Sequence, residues 1–211
     1  AETQIPSEFD KYTKIQVPIK SIVVTSTTHI PALELLSVEN SLVGFPNLDY
    51  ISSQKVRALI DQNKVKELGN NQSLNTEVLL DLQPDVMMGF GIDGEQKTHE
   101  LLQQNGLKII YNGDWTEQNP LGRAEWIKLF GVLYGKEKQA DSIFKSIENG
   151  YLEAREMAQK VKLKPTVLCG AIYQDQWFLP QGKSWAALFI EEANGNYLWN
   201  ETDGIGSLAL S

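Results

Sequence analysis

Two histidines, His29 and His99, and one cysteine, Cys169, are the nitrogen and sulfur donors in this chain of 211 residues. A structural zinc site usually takes four such ligands and a catalytic one three, so a zinc centre would need carboxylates to complete it. Cys169 cannot close a disulfide within the chain, and its place in the apolar run TVLCGAIY reads as a buried strand position. His99 stands beside Glu100 in a helical stretch and reads as a solvated surface residue. His29 follows a strand, at the end where α/β proteins hold their ligands. No G-x-S-x-G elbow, phosphate loop or G-x-G-x-x-G fingerprint occurs. GFGIDG, Gly89 to Gly94, has a glycine pair after a strand but lacks the third glycine at the required spacing. It reads as a loop that lets backbone approach a ligand or a neighbouring strand. Carboxylates are plentiful, yet no pair stands out at acid–base spacing, and nothing here speaks for catalysis.

Binding chemistry is better supplied. Ser26 to His29, Gly44-Phe45, Phe90-Gly91 and Tyr111 to Trp115 each fall just past an expected strand end. In a parallel sheet those ends share one edge, so the four loops converge on one crevice. Trp177, Gln181-Gly182-Lys183 and Trp185 hold comparable places later in the chain. A cleft of that make-up suits a bulky, partly flat or amphipathic ligand.

The elements that would position these loops alternate at roughly 20-residue intervals, the pattern of a mostly parallel α/β sheet. Ser21–Thr25 (SIVVT), Ser41–Phe45 (SLVGF), Val86–Phe90 (VMMGF) and Leu107–Tyr111 (LKIIY) read as strands. Helices are expected after Pro31, over Ser52–Asp61, from an Asn75 cap through VLLDLQ, and from Gly94 to the Gly106 stop. Asn119-Pro120 starts a further helix, LGRAEWIKLFGVLYG, that runs into a long one.

That long helix, Lys136 to Val161, spans about 38 Å at about 1.5 Å per residue. Ala140, Ile143, Phe144, Ile147, Tyr151, Ala154, Ala158 and Val161 form its apolar stripe, and Pro165 closes it. The expected organisation is an N-terminal α/β lobe over residues 1–135, a linker helix over 136–164, and the beginning of a second α/β lobe over 165–211. In that last part Thr166–Ala171 and Gln176–Leu179 read as strands and Ser184–Ala193 as a helix. An α/β domain wants about 100 residues, so the second lobe is expected to be incomplete.

Formal net charge is −8 with no Lys/Arg cluster, which argues against nucleic acid as partner. No run approaches the roughly 18 apolar residues of a membrane span, and the N-terminus lacks a signal-peptide layout.

Four segments carry a family resemblance: VVTSTTHIPALELLSVENSLVGF, LNTEVLLDLQPDVMMGFG, WIKLFGVLYGKEKQADSIFKSI and FLPQGKSWAALFIEEANGNYLW. Together they resemble the solute-binding proteins of ABC importers for iron–siderophore complexes, haem and vitamin B12, whose two α/β lobes are joined by one rigid helix. The block from Leu74 to Gly91 is the most specific part, and the match extends over nearly the whole chain after about Val17.

The resemblance implies a non-enzymatic, monomeric protein in the periplasm or lipid-anchored outside a bacterial cytoplasmic membrane. It would capture a small metal chelate, a ferric siderophore or haem or else cobalamin, and deliver it to an ABC permease, with no intrinsic cofactor. Ligand contacts fall by position on Thr28, His29, Phe45, Phe90, Gly91, Tyr111, Trp115, Trp177, Lys183 and Trp185, Lys183 being placed to pair with an acidic ligand group. Glu77 matches the family's acidic residue that docks on permease arginines. A solvated carboxylate favoured by the helix dipole is the plainer reading of Glu77. A zinc or manganese importer component also uses a single linking helix, but the scarcity of histidine counts against it. An enzyme on a nitrogenase-like or chelatase-like two-lobe scaffold is the competing class, and it would want more Cys or His than this chain has.

Overall fold

Ile22, Val23 and Val24 form strand β1 (Ile22–Val24), and all three are fully buried, as suits a strand covered on both faces. The computed structural model describes residues 5–90 and 96–211. Helix α1 (Ile30–Leu35) has Pro31 in its first turn, where no backbone donor is missed. Strand β2 (Leu42–Phe45) follows, then α2 (Gln54–Asp61), whose Val56 amide is capped by Ser53 Oγ at 3.1 Å. Three two-residue strands come next: β3 (Lys66–Glu67), β4 (Gly69–Asn70) and β5 (Ser73–Leu74), the last two a tight antiparallel hairpin. Asn75 Oδ1 accepts the Val78 amide at 3.1 Å and so starts α3 (Thr76–Leu82) as expected. Strand β6 (Val86–Gly89), helix α4 (Gln96–Gln104) and strand β7 (Ile109–Tyr111) complete this half.

The sheet is parallel throughout, in the order β3-β2-β1-β6-β7, with Ile22 beside both Leu42 and Val86, and Met87 beside Ile109. The chain runs outward from β1 to one side and then restarts on the other, so the order switches between β1 and β6. Open α/β sheets bind ligands at such a point, beyond the strands' carboxyl ends. At the opposite edge Asp85 fixes the start of the β1–β6 pair. Its Oδ2 accepts the amides of Lys20 at 2.6 Å and Ser21 at 3.0 Å, while its own amide donates to Ser21 Oγ at 3.0 Å. Val23, Met87 and Ile109 pack with Leu68, Leu79, Leu102 and Leu107 into one apolar cluster.

Beyond β7 the chain forms α5 (Pro120–Glu125), α6 (Ile127–Tyr134) and the 23-residue α7 (Glu137–Gln159). The expected single helix from Leu121 is therefore two, parted at Trp126, whose indole Nε1 donates to Glu117 Oε1 at 3.0 Å. By packing, residues 1–112 and 129–139 make one compact unit, and residues 113–128 and 140–211 make another. The sequence division into 1–135, 136–164 and 165–211 differs from this grouping, because compactness depends on which residues meet in space. No helix among the described residues is long and apolar enough to cross a membrane.

In the second unit β8 (Thr166–Val167) ends early, and β9 (Ala171–Tyr173) begins only after Gly170, which has φ +140°. Thr166–Ala171 is thus not one strand, and Cys169 lies half-buried between the two pieces rather than within a buried strand. Strand β10 (Gln176–Pro180), helix α8 (Trp185–Glu192), β11 (Asn196–Tyr197) and β12 (Ser207–Leu210) follow. β10 lies between β9 and β12 in an antiparallel sheet, and β8 pairs with β11 in parallel. Ser184 Oγ caps α8 through the Ala187 amide at 3.2 Å. Tyr151 on α7 donates its phenol to Glu192 on α8, and Arg155 pairs with the same carboxylate at 3.0 Å. Desolvation first, then the hydrogen bond to Glu192, pushes the Tyr151 phenol up to about 12.

Candidate ligand-binding surfaces

In the first unit the parallel register brings the carboxyl ends of β1, β2, β6 and β7 to one sheet edge. The Thr25 amide donates to Met88 O at 3.1 Å and the Asn112 amide to Gly89 O at 2.8 Å, which carries the pairing to the tips of β1, β6 and β7. Beyond the tip of β1, Ser26 Oγ caps a single helical turn by accepting the Thr28 amide at 3.3 Å, and it lies 2.8 Å from Thr28 Oγ1. Thr28 is exposed there. Asn71, in the β4–β5 turn, donates from Nδ2 to Thr25 O at 3.1 Å and covers the flank of this loop.

Phe90 is half-buried at the end of β6, and Tyr111 at the end of β7 is 47% exposed. His29 and Phe45 are placed otherwise than the sequence reading expects. His29 is 1% exposed, with its ring 6.2 Å from that of Phe130, and Phe45 is 2% exposed. A large ring at these strand ends gains more by joining the core than by facing solvent. Gly91 lies outside the described residues.

His99 also departs from expectation. It is 2% exposed, not solvated, and its Nδ1 lies 3.0 Å from the phenol oxygen of Tyr111. Desolvation holds its imidazole below the ordinary histidine range, so the neutral ring is favoured. Gly89 makes room for the pair, since a Cβ there would sit 3.3 Å from His99 Cε1. The sequence did carry a signal: His99 stands three residues before Leu102, one helical step along a buried stripe.

The second unit contains a cavity of about 480 Å³ among the turn before α5, strand β10, the start of α8 and the start of β12. That volume falls within the roughly 300–1,000 Å³ common for small-molecule sites. Trp115, Phe178, Trp185 and Ile205 supply its apolar walls, and Glu117, Gln118, Ser184 and Ser207 its polar ones. Trp115 is 51% and Trp185 40% exposed. The Arg123 guanidinium stands 4.5 Å from the Trp185 ring centroid, a cation–π contact.

Arg123, Glu117, Phe178 and Ile205 were not singled out from sequence; the Asn119-Pro120 helix start was the one local hint for Arg123. Trp177 does not line this cavity; it packs edge-on against Trp199 with centroids 5.3 Å apart. Lys183 is exposed and its Nζ is 2.6 Å from Asp203 Oδ1. That hydrogen bond raises the ammonium's pKa and lowers the carboxylate's, so Lys183 already has a counter-ion. Glu77 is exposed in the first turn of α3.

The chain is thus a mixed α/β structure with a parallel sheet whose order switches between β1 and β6, and with an aromatic-walled cavity in its second unit. Residues 22–209 match the family described as periplasmic binding protein, and the chain belongs to that family. It is similar to an uncharacterized lipoprotein of Methanocaldococcus jannaschii, at 26% identity over 212 residues, covering 96% of this chain and 50% of that protein. The chain spans about half the length of the curated relatives it matches.

Among solved structures it resembles the triscatecholate siderophore binding protein FeuA of Bacillus subtilis complexed with ferri-bacillibactin. The TM-score is 0.69 at 19% identity, over 96% of this chain and 69% of that one. It also resembles the periplasmic vitamin B12 binding protein BtuF of Vibrio cholerae, with a TM-score of 0.64 at 11% identity, over 92% of this chain and 71% of that one. At these identities the likeness establishes the fold, a mixed α/β architecture with a mostly parallel central sheet.

Proposed function

We propose that this chain is part of the ligand-capturing component of an ABC importer, acting outside the cytoplasmic membrane on an iron complex, a ferric siderophore or haem. The observation that carries the reading is the cavity walled by Trp115, Phe178 and Trp185 in a chain of the periplasmic binding protein family. Flat aromatic walls with a few polar groups grip a bulky chelate by surface contact and need no catalytic group. Thr28, Phe90 and Tyr111 at the strand-end edge are the contacts proposed in the first unit. The lipoprotein name of a relative supports an extracytoplasmic, lipid-anchored protein. Glu77, exposed at the start of α3, is the residue proposed to meet arginines of the permease, and the protein is proposed to act as a monomer. The family consists of binding proteins, which favours capture over catalysis.

A corrinoid is the second reading, supported by the likeness to a vitamin B12 binding protein. Tryptophan-fluorescence titration of this chain and of the complete reading-frame product tests both, with cyanocobalamin, haemin and ferric siderophores as ligands and absorbance controls for inner-filter loss. Saturable quenching at micromolar or lower concentration by one class identifies the ligand. No response to any of them from folded full-length protein overturns the reading.

A further inference from the structure

The β4–β5 hairpin stands at the strand-end edge of the first unit because of how the sheet is built. β3 runs parallel to β2, so its carboxyl end at Glu67 points to the same edge as the ends of β1 and β6, and the hairpin begins there. The Leu68 amide donates to Phe45 O at 3.1 Å and the Asn47 amide to Gly69 O at 2.7 Å, which ties the hairpin to the end of β2. The Glu67 carboxylate accepts the amides of Asn47 at 2.9 Å, Leu48 at 3.0 Å and Gly69 at 3.0 Å. At the tip, Asn70 Oδ1 accepts the amides of Gln72 at 3.0 Å and Ser73 at 2.9 Å. These bonds are local to β2, β3 and the hairpin. Asn71 reaches further, to the Thr25 carbonyl 46 residues away, at 3.1 Å from its Nδ2.

Thr25 is held from its other side as well, since its amide and hydroxyl donate to Met88 O at 3.1 Å and 3.4 Å. Its carbonyl is the last before the turn that carries the exposed Thr28, so whatever fixes that carbonyl fixes where Thr28 stands. Asn71 Oδ1 is shut from solvent and meets no hydrogen-bond partner among the described residues. Native chains keep few such groups, because each one costs stability. Turning the carboxamide over would set Oδ1 against Thr25 O, two acceptors face to face. The idle acceptor is therefore the consequence of aiming the amino group at the end of β1.

We infer that Asn71 is a positioning residue of the first unit's ligand surface. Its carboxamide holds the Thr25 carbonyl, and through it the Ser26–Thr28 turn, where Thr28 meets a bound chelate. A turn already in place spares binding the cost of ordering a mobile one. The inference rests on the proposed capture of a chelate at this strand-end edge.

The test titrates haemin, ferrichrome and cyanocobalamin into the complete reading-frame product, as wild type, Asn71→Ala, Thr28→Ala and the double variant. For the probe that wild type binds, each single change is expected to weaken affinity about five- to ten-fold. The double variant should lose no more than about two-fold beyond the weaker-binding single, because both changes act on one turn. Asn71→Asp, the same shape without the donor, should behave as the alanine variant does. Gln72→Ala, at the exposed tip of the same hairpin, should stay within about two-fold of wild type. Amide hydrogen exchange without any probe reads the turn directly. The Thr28 and His29 amides, bonded to Ser26 Oγ at 3.3 Å and Ser26 O at 3.2 Å, should exchange at least about ten-fold faster in Asn71→Ala. The Met87 amide, bonded to Lys108 O within the sheet, should keep its wild-type rate. Unchanged affinity, additive losses in the double variant or unchanged exchange at Thr28 each overturn the role of Asn71 and leave the importer reading standing. Binding of no probe by folded wild type overturns the importer reading, and this inference with it.

Discussion

The imidazole of His99 and the phenol of Tyr111 form one unit at the carboxyl end of β7, with Nδ1 3.0 Å from the hydroxyl and ring centroids 5.5 Å apart. His99 is buried on α4 while Tyr111 is half-exposed at the sheet edge, so the histidine holds a ring that faces outward. The pair gives a pH signature. The folded-state pKa of His99 lies below its ordinary value of 6.5, so below about pH 6.5 the unfolded chain takes up a proton that the folded chain resists. Stability attributable to His99 is therefore intact above that pH and falls as pH drops from it toward the folded-state value. Urea midpoints of wild type and His99→Gln should run parallel above about pH 7 and converge or cross below about pH 6, because glutamine does not titrate. Parallel curves down to pH 5 would show that His99 does not contribute this dependence.

Asp85 is expected to matter for the sheet rather than for any ligand. Replacing it by alanine removes the one carboxylate oxygen that holds both the Lys20 and Ser21 amides ahead of β1, and urea unfolding should show a loss of about 1–2 kcal/mol. The Lys20 amide, followed by that of Ser21, favours the ionised carboxylate and sets its pKa below the model-compound value of 3.8. Its contribution is therefore complete above about pH 4 and disappears as pH falls through the lower folded-state value.

Two neighbours at the start of α3, its cap Asn75 and the first-turn Glu77, should separate folding from docking. Asn75→Ala removes the cap on Val78 and should lower stability by about 1 kcal/mol in the same denaturation assay. Glu77→Ala, at an exposed position, should change stability by less than about 0.5 kcal/mol. On the proposed role it should nevertheless weaken a pull-down with the cognate permease. An unchanged permease interaction would return Glu77 to a plain solvated first-turn carboxylate.

Trp185→Ala removes both a wall of the second unit's cavity and the face on which Arg123 rests. Whatever ligand quenches the protein's fluorescence, the variant should bind it at least about ten-fold more weakly, or about 1.4 kcal/mol. Trp177→Phe, away from that cavity and edge-on to Trp199, should leave affinity within about two-fold. Equal losses at the two positions would place the ligand elsewhere.

The sequence by itself determined the features that short-range chemistry controls. Ile22-Val23-Val24 could only be a buried strand, Asn75 caps because its side chain reaches the next turn, and Pro84-Asp85 stops α3 and opens β6. The alternation of these pieces was enough for a parallel α/β sheet whose strand ends share an edge. Tertiary structure decided what depends on distant partners. The two-residue strands β3, β4 and β5 exist through pairing alone, and β12 is a strand because β10 lies beside it. Burial of His99 depends on the sheet beneath α4, which a lone His-Glu dipeptide does not reveal. Arg123 meets Trp185, and Lys183 meets Asp203, only after the chain has turned back on itself. Charge and stacking act through space, and sequence separation carries no record of either.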